Sequence, residues 1–254
     1  MPQRGGAQYS KSPLRAGFGS RKYIAMSPVN SNAAVAEVKP LLLGGLSEGD
    51  LRHVLAASSV RKFRARDVIC HQGAPANHLY LLMSGRARFF FVTSQGRKVL
   101  LHWLVAGDVT GGAALLQGNP SHLVGTEMVR DGMALSWDRI TIERLITRYP
   151  NLLRNALSVI FEYLDWYAID HVALTYASAA RRVAAIIERL ATTIGSSHPK
   201  GIEIDVTNEE LANAANVTPF TVSRLLNKWQ FSGVLLKRRG TIVLTSLKRF
   251  SQVP

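Results

Sequence analysis

Midway along this chain the spacing of its apolar residues changes, and that change rules out most architectures. From about residue 60 to 137 they fall in short alternating or continuous runs, HLYLLMSG, RARFFFVT, RKVLLHWL and MALSW. Gly73, Gly85, Gly96, Gly107-Asp108 and Gly118-Asn119-Pro120 separate these runs. Short runs with regular glycine punctuation predict strands of a β-barrel or sandwich, with the glycines at turns. After RYP the spacing becomes helical. Leu153, Leu157, Ile160, Leu164 and Tyr167 recur at alternating four- and three-residue steps, and His171 and Leu174 continue the series. A stripe of this length predicts a helix–helix seam between two copies of the chain, although one amphipathic helix laid on the barrel would show a similar stripe. His171 in such a seam is either a hydrogen-bonded interface residue or a pH sensor.

The flanks add bounds. Ser47, followed by acids and then Leu51, Val54 and Leu55, reads as a capped amphipathic helix before the first strand. The first 38 residues are rich in Arg, Lys, Ser, Gly and Ala and have no apolar stretch of the kind a secretory signal needs. They read as a disordered basic tail, a composition that an organellar transit peptide would share. No run of about 18 apolar residues occurs, so no membrane span is expected and the chain is read as cytoplasmic. Cys70 is the only cysteine, which excludes an intrachain disulfide and a cysteine-rich metal site. In DVICHQG it reads as a small buried hydrophobe. Lys and Arg number 31 against 17 acids, a net charge of +14, and such a balance points to a polyanionic partner, nucleic acid first. Neither GDVTGGAALL nor LLGGLSEGD has the Lys-Ser/Thr of a nucleotide-triphosphate loop. No paired catalytic carboxylates, Ser–His–acid arrangement or metal-ligand cluster stands out, so no enzyme is expected.

Most of the chemistry lies in the last quarter. Thr207 and Glu210 have the spacing of a capping box, opening a short helix with Leu211, Ala212 and Ala215 inward. ANV is a turn, Thr218 a cap, and Pro219 suits the first position of a second helix because no donor is lost there. Val222, Leu225, Leu226 and Trp229 form its inward stripe. That leaves Phe220, Thr221, Ser223, Arg224, Asn227 and Lys228 for the head and outer face. A short helix, a tight turn and a second helix with polar and basic residues at its exposed head is an arrangement that reads DNA. GVLLKRRGTIVLTSL then predicts two strands joined at Arg239-Gly240, a wing whose Lys237, Arg238 and Arg239 suit phosphate contacts. The alternative is a ligand-sensing barrel with a degenerate DNA-binding unit that acts through a protein partner.

Barrel, long helix and winged helix, in that order, resemble the CRP/FNR superfamily of bacterial transcription regulators. The resemblance runs from about residue 40 to 250 and is carried by HLYLLMSGRARFF, LVAGDVTGGAALL and TNEELANAANVTPFTVSRLLNKWQFSGVL. It implies an α+β chain in four parts. A disordered tail over 1–38 precedes an effector-binding β-roll over 39–150, a double-stranded β-helix of the jelly-roll-like, cyclic-nucleotide-binding type. A dimerisation helix and hinge over 151–177 and a winged helix-turn-helix unit over 178–254 complete it. It also implies a homodimer on a near-palindromic double-stranded DNA site, RNA polymerase as a further partner, and a small-molecule effector in the β-roll.

The chain departs from that family in two places. Members that bind cyclic AMP carry a Gly-Glu pair for the ribose and an Arg-Ser pair for the cyclic phosphate. An ungapped reading puts Gly111-Gly112 and His122-Leu123 at those positions. A glycine accepts no ribose hydrogen bond, and His122 is a weak phosphate partner at neutral pH, so cyclic AMP is not expected. Cys70 alone cannot supply an iron–sulfur cluster. Haem on one of the seven histidines stays open. Tyr167 falls where the family's long helix faces the ligand pocket, and is expected either to touch an effector or to fill space. In the second helix many relatives place a glutamate where Phe220 stands, to read a C·G pair, whereas Arg224 matches the family's arginine that reaches guanine or phosphate. DNA binding is expected, with a changed sequence preference.

Overall fold

The computed structural model describes Val38 and residues 40–252, so the stretch read as a disordered tail lies, Val38 apart, outside the described residues. Helix α1 (Glu48–Ala56) starts where Ser47 accepts the Asp50 amide at 3.2 Å, and it turns Val54 and Leu55 into the core. Six strands follow: β1 (Ser59–Phe63), β2 (Val68–Cys70), β3 (His78–Val92), β4 (Lys98–Val105), β5 (Val109–Thr110) and β6 (Gly125–Asp138). They pair antiparallel in the order β1-β6-β3-β4, with β2 on β6 and β5 on β3.

One sequence expectation changes here. HLYLLMSG and RARFFFVT are a single strand, because β3 runs through Gly85 at φ +83 opposite Gly132 of β6, with register shifts around Ser84. A Cβ at Gly85 would stand 2.5 Å from the Asp131 carbonyl oxygen, so this glycine permits a bulge where two backbones close on each other and makes no hairpin turn. The bend lets β3 serve two cores. Leu79, Leu81 and Met83 pack with Leu42, Val54, Trp137 and Leu152, while Leu82, Ala87 and Phe89 pack with Leu104, Met128 and Ala134. Cys70 is a small buried hydrophobe, as its surroundings in sequence suggest. Burial raises its thiol to about 11, and its Sγ lies 3.8 Å from Thr110 Oγ1.

Helix α2 (Arg139–Arg148) leaves β6 directly, capped by Asp138, whose carboxylate accepts the Thr141 amide at 2.9 Å and is held below the usual range by that bond. After Tyr149 the 27-residue α3 (Pro150–Tyr176) begins on proline. Its inner face buries Leu152, Ala156 and Val159 against the β-roll. Asn155 Nδ2 donates to the Leu42 and Gly44 carbonyls at 3.0 and 2.8 Å, and the Tyr163 hydroxyl donates to Val109 O at 3.2 Å. The chain then turns extended at Ala177, and the Ser178 hydroxyl caps α4 (Ala179–Thr193).

The C-terminal unit continues with β7 (Ser196–His198), β8 (Gly201–Asp205), α5 (Asn208–Ala215), α6 (Pro219–Phe231), β9 (Leu235–Arg238), β10 (Thr241–Leu244) and α7 (Leu247–Phe250), its sheet ordered β7-β8-β10-β9. GSSHPKG, read from sequence as a loop, is a small hairpin of β7 and β8. Trp229 is buried edge-on against Phe250, ring centroids 5.1 Å apart. Leu100 and Trp103 of β4 join this core, so the unit rests on the outside of the β-roll. The buried Arg86 donates to Asp205 O at 2.6 Å, Arg130 pairs with the Asp205 carboxylate, and Arg189 of α4 donates to both Asp170 oxygens of α3 at 3.0 and 3.1 Å.

Candidate nucleic-acid interface and ligand cavity

The helix-turn-helix is built by local hydrogen bonds that the sequence spacing anticipates. The Thr207 hydroxyl accepts the Glu210 amide at 3.2 Å while the Glu210 carboxylate accepts the Thr207 amide at 2.8 Å, closing the capping box of α5. Asn216 ends α5 in the left-handed region at φ +50, a conformation asparagine tolerates. The Thr218 hydroxyl then accepts the Thr221 amide at 3.1 Å, and Pro219 occupies the first turn of α6. Val222, Leu226 and Trp229 are buried and Leu225 half-buried, which fixes the roll of α6 about its axis.

That roll leaves Phe220 79% exposed at the head of α6, with Arg224, Asn227 and Lys228 exposed along the same side. Ser223 and Thr221 are half-buried, the latter with its hydroxyl 2.9 Å from that of Thr218. The wing is the β9–β10 hairpin. Lys237 is not at its free tip. Its ammonium donates to Ser223 Oγ at 3.1 Å and Asn227 Oδ1 at 3.4 Å, tying the wing to α6. Arg238 and Arg239 are exposed at the hairpin end. Among the described residues Arg224, Lys228, Arg238 and Arg239 have no ion pair. Thr207 stands apart from this face, lining a cleft toward Arg88 and Lys98 of the β-roll.

A residue the sequence reading missed holds this unit to its hinge. Arg182 of α4 donates from Nε to Ala215 O at 2.8 Å, from Nη1 to Ala177 O at 2.8 Å and from Nη2 to Asn216 O at 3.2 Å. One guanidinium thus spans the hinge and the turn between α5 and α6. Its signal in ASAARRV is slight, because an arginine early in a helix is ordinarily solvated.

At the other end, a cavity of about 170 Å³ lies between the β-roll and α3. Four of the five residues read as candidate effector contacts, Gly111, Gly112, His122 and Leu123, line it. The fifth, Tyr167, does not. Tyr163, one turn earlier, takes that place because the inner face of α3 follows Leu152, Ala156, Val159 and Tyr163. Tyr167 is instead half-buried near Asp170, with its hydroxyl raised to about 12 by burial and then by that carboxylate. Tyr163 and Phe89 lead from the cavity to His102, which is buried with its ring 5.5 Å from Tyr163 and 4.2 Å from Trp166. Burial first, and Arg189 second, push His102 down to about 3. Arg189 lies 5.7 Å from the Trp166 ring, so packed aromatic groups run from the cavity to α4. No group of three or more His, Cys, Asp or Glu able to hold a metal occurs among the described residues.

The outer face of α3 carries the seam residues. Leu153, Leu157, Ile160 and Leu164 are exposed, Leu164 at 54%, and His171 is exposed beside them. Phe161 at 68% and Val172 at 49% widen the stripe.

Comparison with known proteins matches residues 60–149 to the cyclic nucleotide-binding domain and residues 181–253 to the Crp-like helix-turn-helix domain. The Anaerobic regulatory protein of Bacillus subtilis is 24% identical over 212 residues, covering 78% of this chain and 85% of its own. The CRP-like protein Clp of Xanthomonas euvesicatoria is 25% identical over 232 residues, 86% of this chain and 98% of its own. The solved structure of the c-di-GMP-responsive global regulator CLP of Xanthomonas campestris superposes with a TM-score of 0.69 at 21% identity, covering 79% of this chain and 100% of that one. A cyclic nucleotide-binding β-roll, a long helix and a Crp-like helix-turn-helix unit in this order place the chain in the CRP/FNR superfamily of DNA-binding transcription regulators, to which it belongs.

Proposed function

We propose that the chain is a homodimeric, cytoplasmic regulator that binds a near-palindromic DNA site and answers to an effector in its β-roll. Two copies join along the exposed stripe of α3, and each presents α6 to one of two successive major grooves. The observation that carries this reading is the outer face of α6, where Phe220, Arg224 and Lys228 stand in solvent beside Arg238 and Arg239 of the wing. In this reading Arg224 reaches a guanine edge, and Phe220 presses on a thymine methyl, an apolar contact that the major groove offers. Lys228, Arg238 and Arg239 neutralise phosphates. Thr218 and Pro219 set the entry angle, while Lys237 keeps the wing against Ser223 and Asn227. RNA polymerase is the further partner of a regulator so placed.

Selection from a genomic DNA library by the full-length protein at two salt concentrations tests the proposal. A set of related two-fold sites should be enriched, with affinity falling steeply as salt rises, because phosphate contacts release counterions. Absence of any enriched site, or affinity indifferent to salt, would overturn it.

A further inference from the structure

The effector site has a chemical character of its own, and it does not suit the ligand for which the domain is named. The cavity floor is Leu79, Phe89 and Val109, and its roof is Val159, Ile160 and Tyr163 of α3. No Arg, Lys, Asp or Glu lines it. Two of its three polar side chains are already bonded within the protein. The Thr110 hydroxyl lies 2.6 Å from that of Thr126, and the Tyr163 hydroxyl donates to the Val109 carbonyl. The third is the half-buried His122, whose burial favours the neutral ring.

A cyclic nucleotide brings a phosphate and a sugar. Its phosphate needs a cation, and its ribose needs an acceptor. At position 112, where a nucleotide-binding relative would carry its ribose glutamate, there is a glycine, and a Cβ built there meets nothing within 4 Å. Gly112 lines the cavity, and no side chain or backbone atom fills the place of the missing carboxylate's first carbon. A charged ligand would give up its water here and find no counter-charge in return, which is unfavourable whatever its shape. An apolar ligand loses only unfavourable hydration. Size narrows the class further, since an apolar protein cavity of about 150 Å³ accepts benzene.

We propose that the β-roll cavity takes a small uncharged apolar molecule of about one aromatic ring, with at most a single polar substituent, in place of a cyclic nucleotide. This deepens the regulator reading above and rests on it for the word effector. Its site also explains how such a ligand would be felt. Ile160 lines the cavity and is at the same time 39% exposed on the α3 stripe, so an occupant touches a side chain that faces the second copy.

Toluene serves as the probe, with benzoate as the same ring bearing a charge and cyclic AMP as the nucleotide. Methyl-labelled full-length protein is titrated with each and followed by NMR and by melting temperature. Toluene should shift the methyls of Leu79, Val109, Val159 and Ile160 saturably and raise the melting temperature. Benzoate and cyclic AMP should bind at least tenfold more weakly. Gly112→Glu should abolish the toluene response in a protein whose circular dichroism remains native. The discrimination between toluene and benzoate in the unmodified protein stands even if that variant does not fold. No saturable shift at these methyls up to the solubility of toluene, or benzoate or cyclic AMP binding as tightly, overturns the proposal. DNA selection on the same samples separates the two readings. Selective DNA binding without a toluene response overturns the ligand class alone. Absence of selective DNA binding overturns the regulator reading, and the cavity result then describes a binding protein of another kind.

Discussion

The β-roll cavity and the outer face of α6 are both bounded by a helix laid on a sheet, and they treat their polar groups in opposite ways. Around the cavity the hydroxyls of Thr110 and Tyr163 are bonded back into the protein and Gly112 offers no side chain, so what remains, His122 apart, is apolar volume. On α6 Val222, Leu226 and Trp229 are turned inward, and Arg224 and Lys228 are left in water with no acidic partner among the described residues. A site for a small apolar molecule is made by satisfying polar groups internally, whereas a face for a polyanion is made by leaving cations unsatisfied. The first should respond to changes of volume and to introduced charge, and the second to the loss of a single cation.

The largest expected effect tests whether the two regions work through one shared element. Leu164→Glu alters only the exposed stripe of α3, so both regions should stay folded while the proposed dimer separates. Affinity for a full two-fold site should then fall on the order of a hundredfold or more, because the second half-site contact is no longer intramolecular. Sedimentation and DNA titration on one sample would show it; a monomer with unchanged affinity would separate seam from function, and a variant still dimeric would place the interface elsewhere. Next, Arg224→Ala should cost about 1–3 kcal/mol of binding and relax preference at one base pair. Arg238→Ala should weaken all sequences alike and reduce the salt slope by about one. Titration of specific and scrambled duplexes at several salt concentrations distinguishes these outcomes. If the two arginines behave alike, the division between reading and anchoring fails.

His102, between the two regions, provides a pH test. Its folded value is depressed from 6.5 to about 3, so folding favours the neutral ring. Its stabilising share is fully present above pH 6.5 and is lost as the pH falls from there toward 3, at about 1.4 kcal/mol per unit. His102→Phe should flatten the decline in melting temperature between pH 6.5 and 5, a window above the usual carboxylate range. An unchanged slope would place the titrating group elsewhere. The smallest effect is expected at the head of α6, where Thr218→Ala removes a cap and should lower stability by about 1 kcal/mol in denaturant unfolding.

Legibility differed between the two regions for a physical reason. The winged helix could be read in detail because its determinants are local. A capping box spans four residues, a proline suits one position, and an inward stripe at helical spacing defines the outward face, so Phe220, Arg224 and Lys228 followed directly. The effector region was legible only in outline. Gly111, Gly112, His122 and Leu123 line one cavity, but Tyr163 and not Tyr167 faces it, since the phase of α3 is set by contacts with residues far away in the chain. Gly85 was read as a turn because a glycine bulge and a glycine hairpin look alike without the opposing strand.

By itself the amino-acid order determined what depends on neighbours within a few positions: the change from strands to helices, the caps and turn of the helix-turn-helix, and the excess of cations. Only the tertiary structure decided what depends on distant partners. It brought Arg182 onto the hinge and the turn together, drew Lys237 from the wing to α6, and seated the C-terminal unit on Leu100 and Trp103. It also left an apolar space beneath α3. Hydrogen bonds of short span are written in residue spacing, but the shape of a cavity belongs to all the surfaces that enclose it.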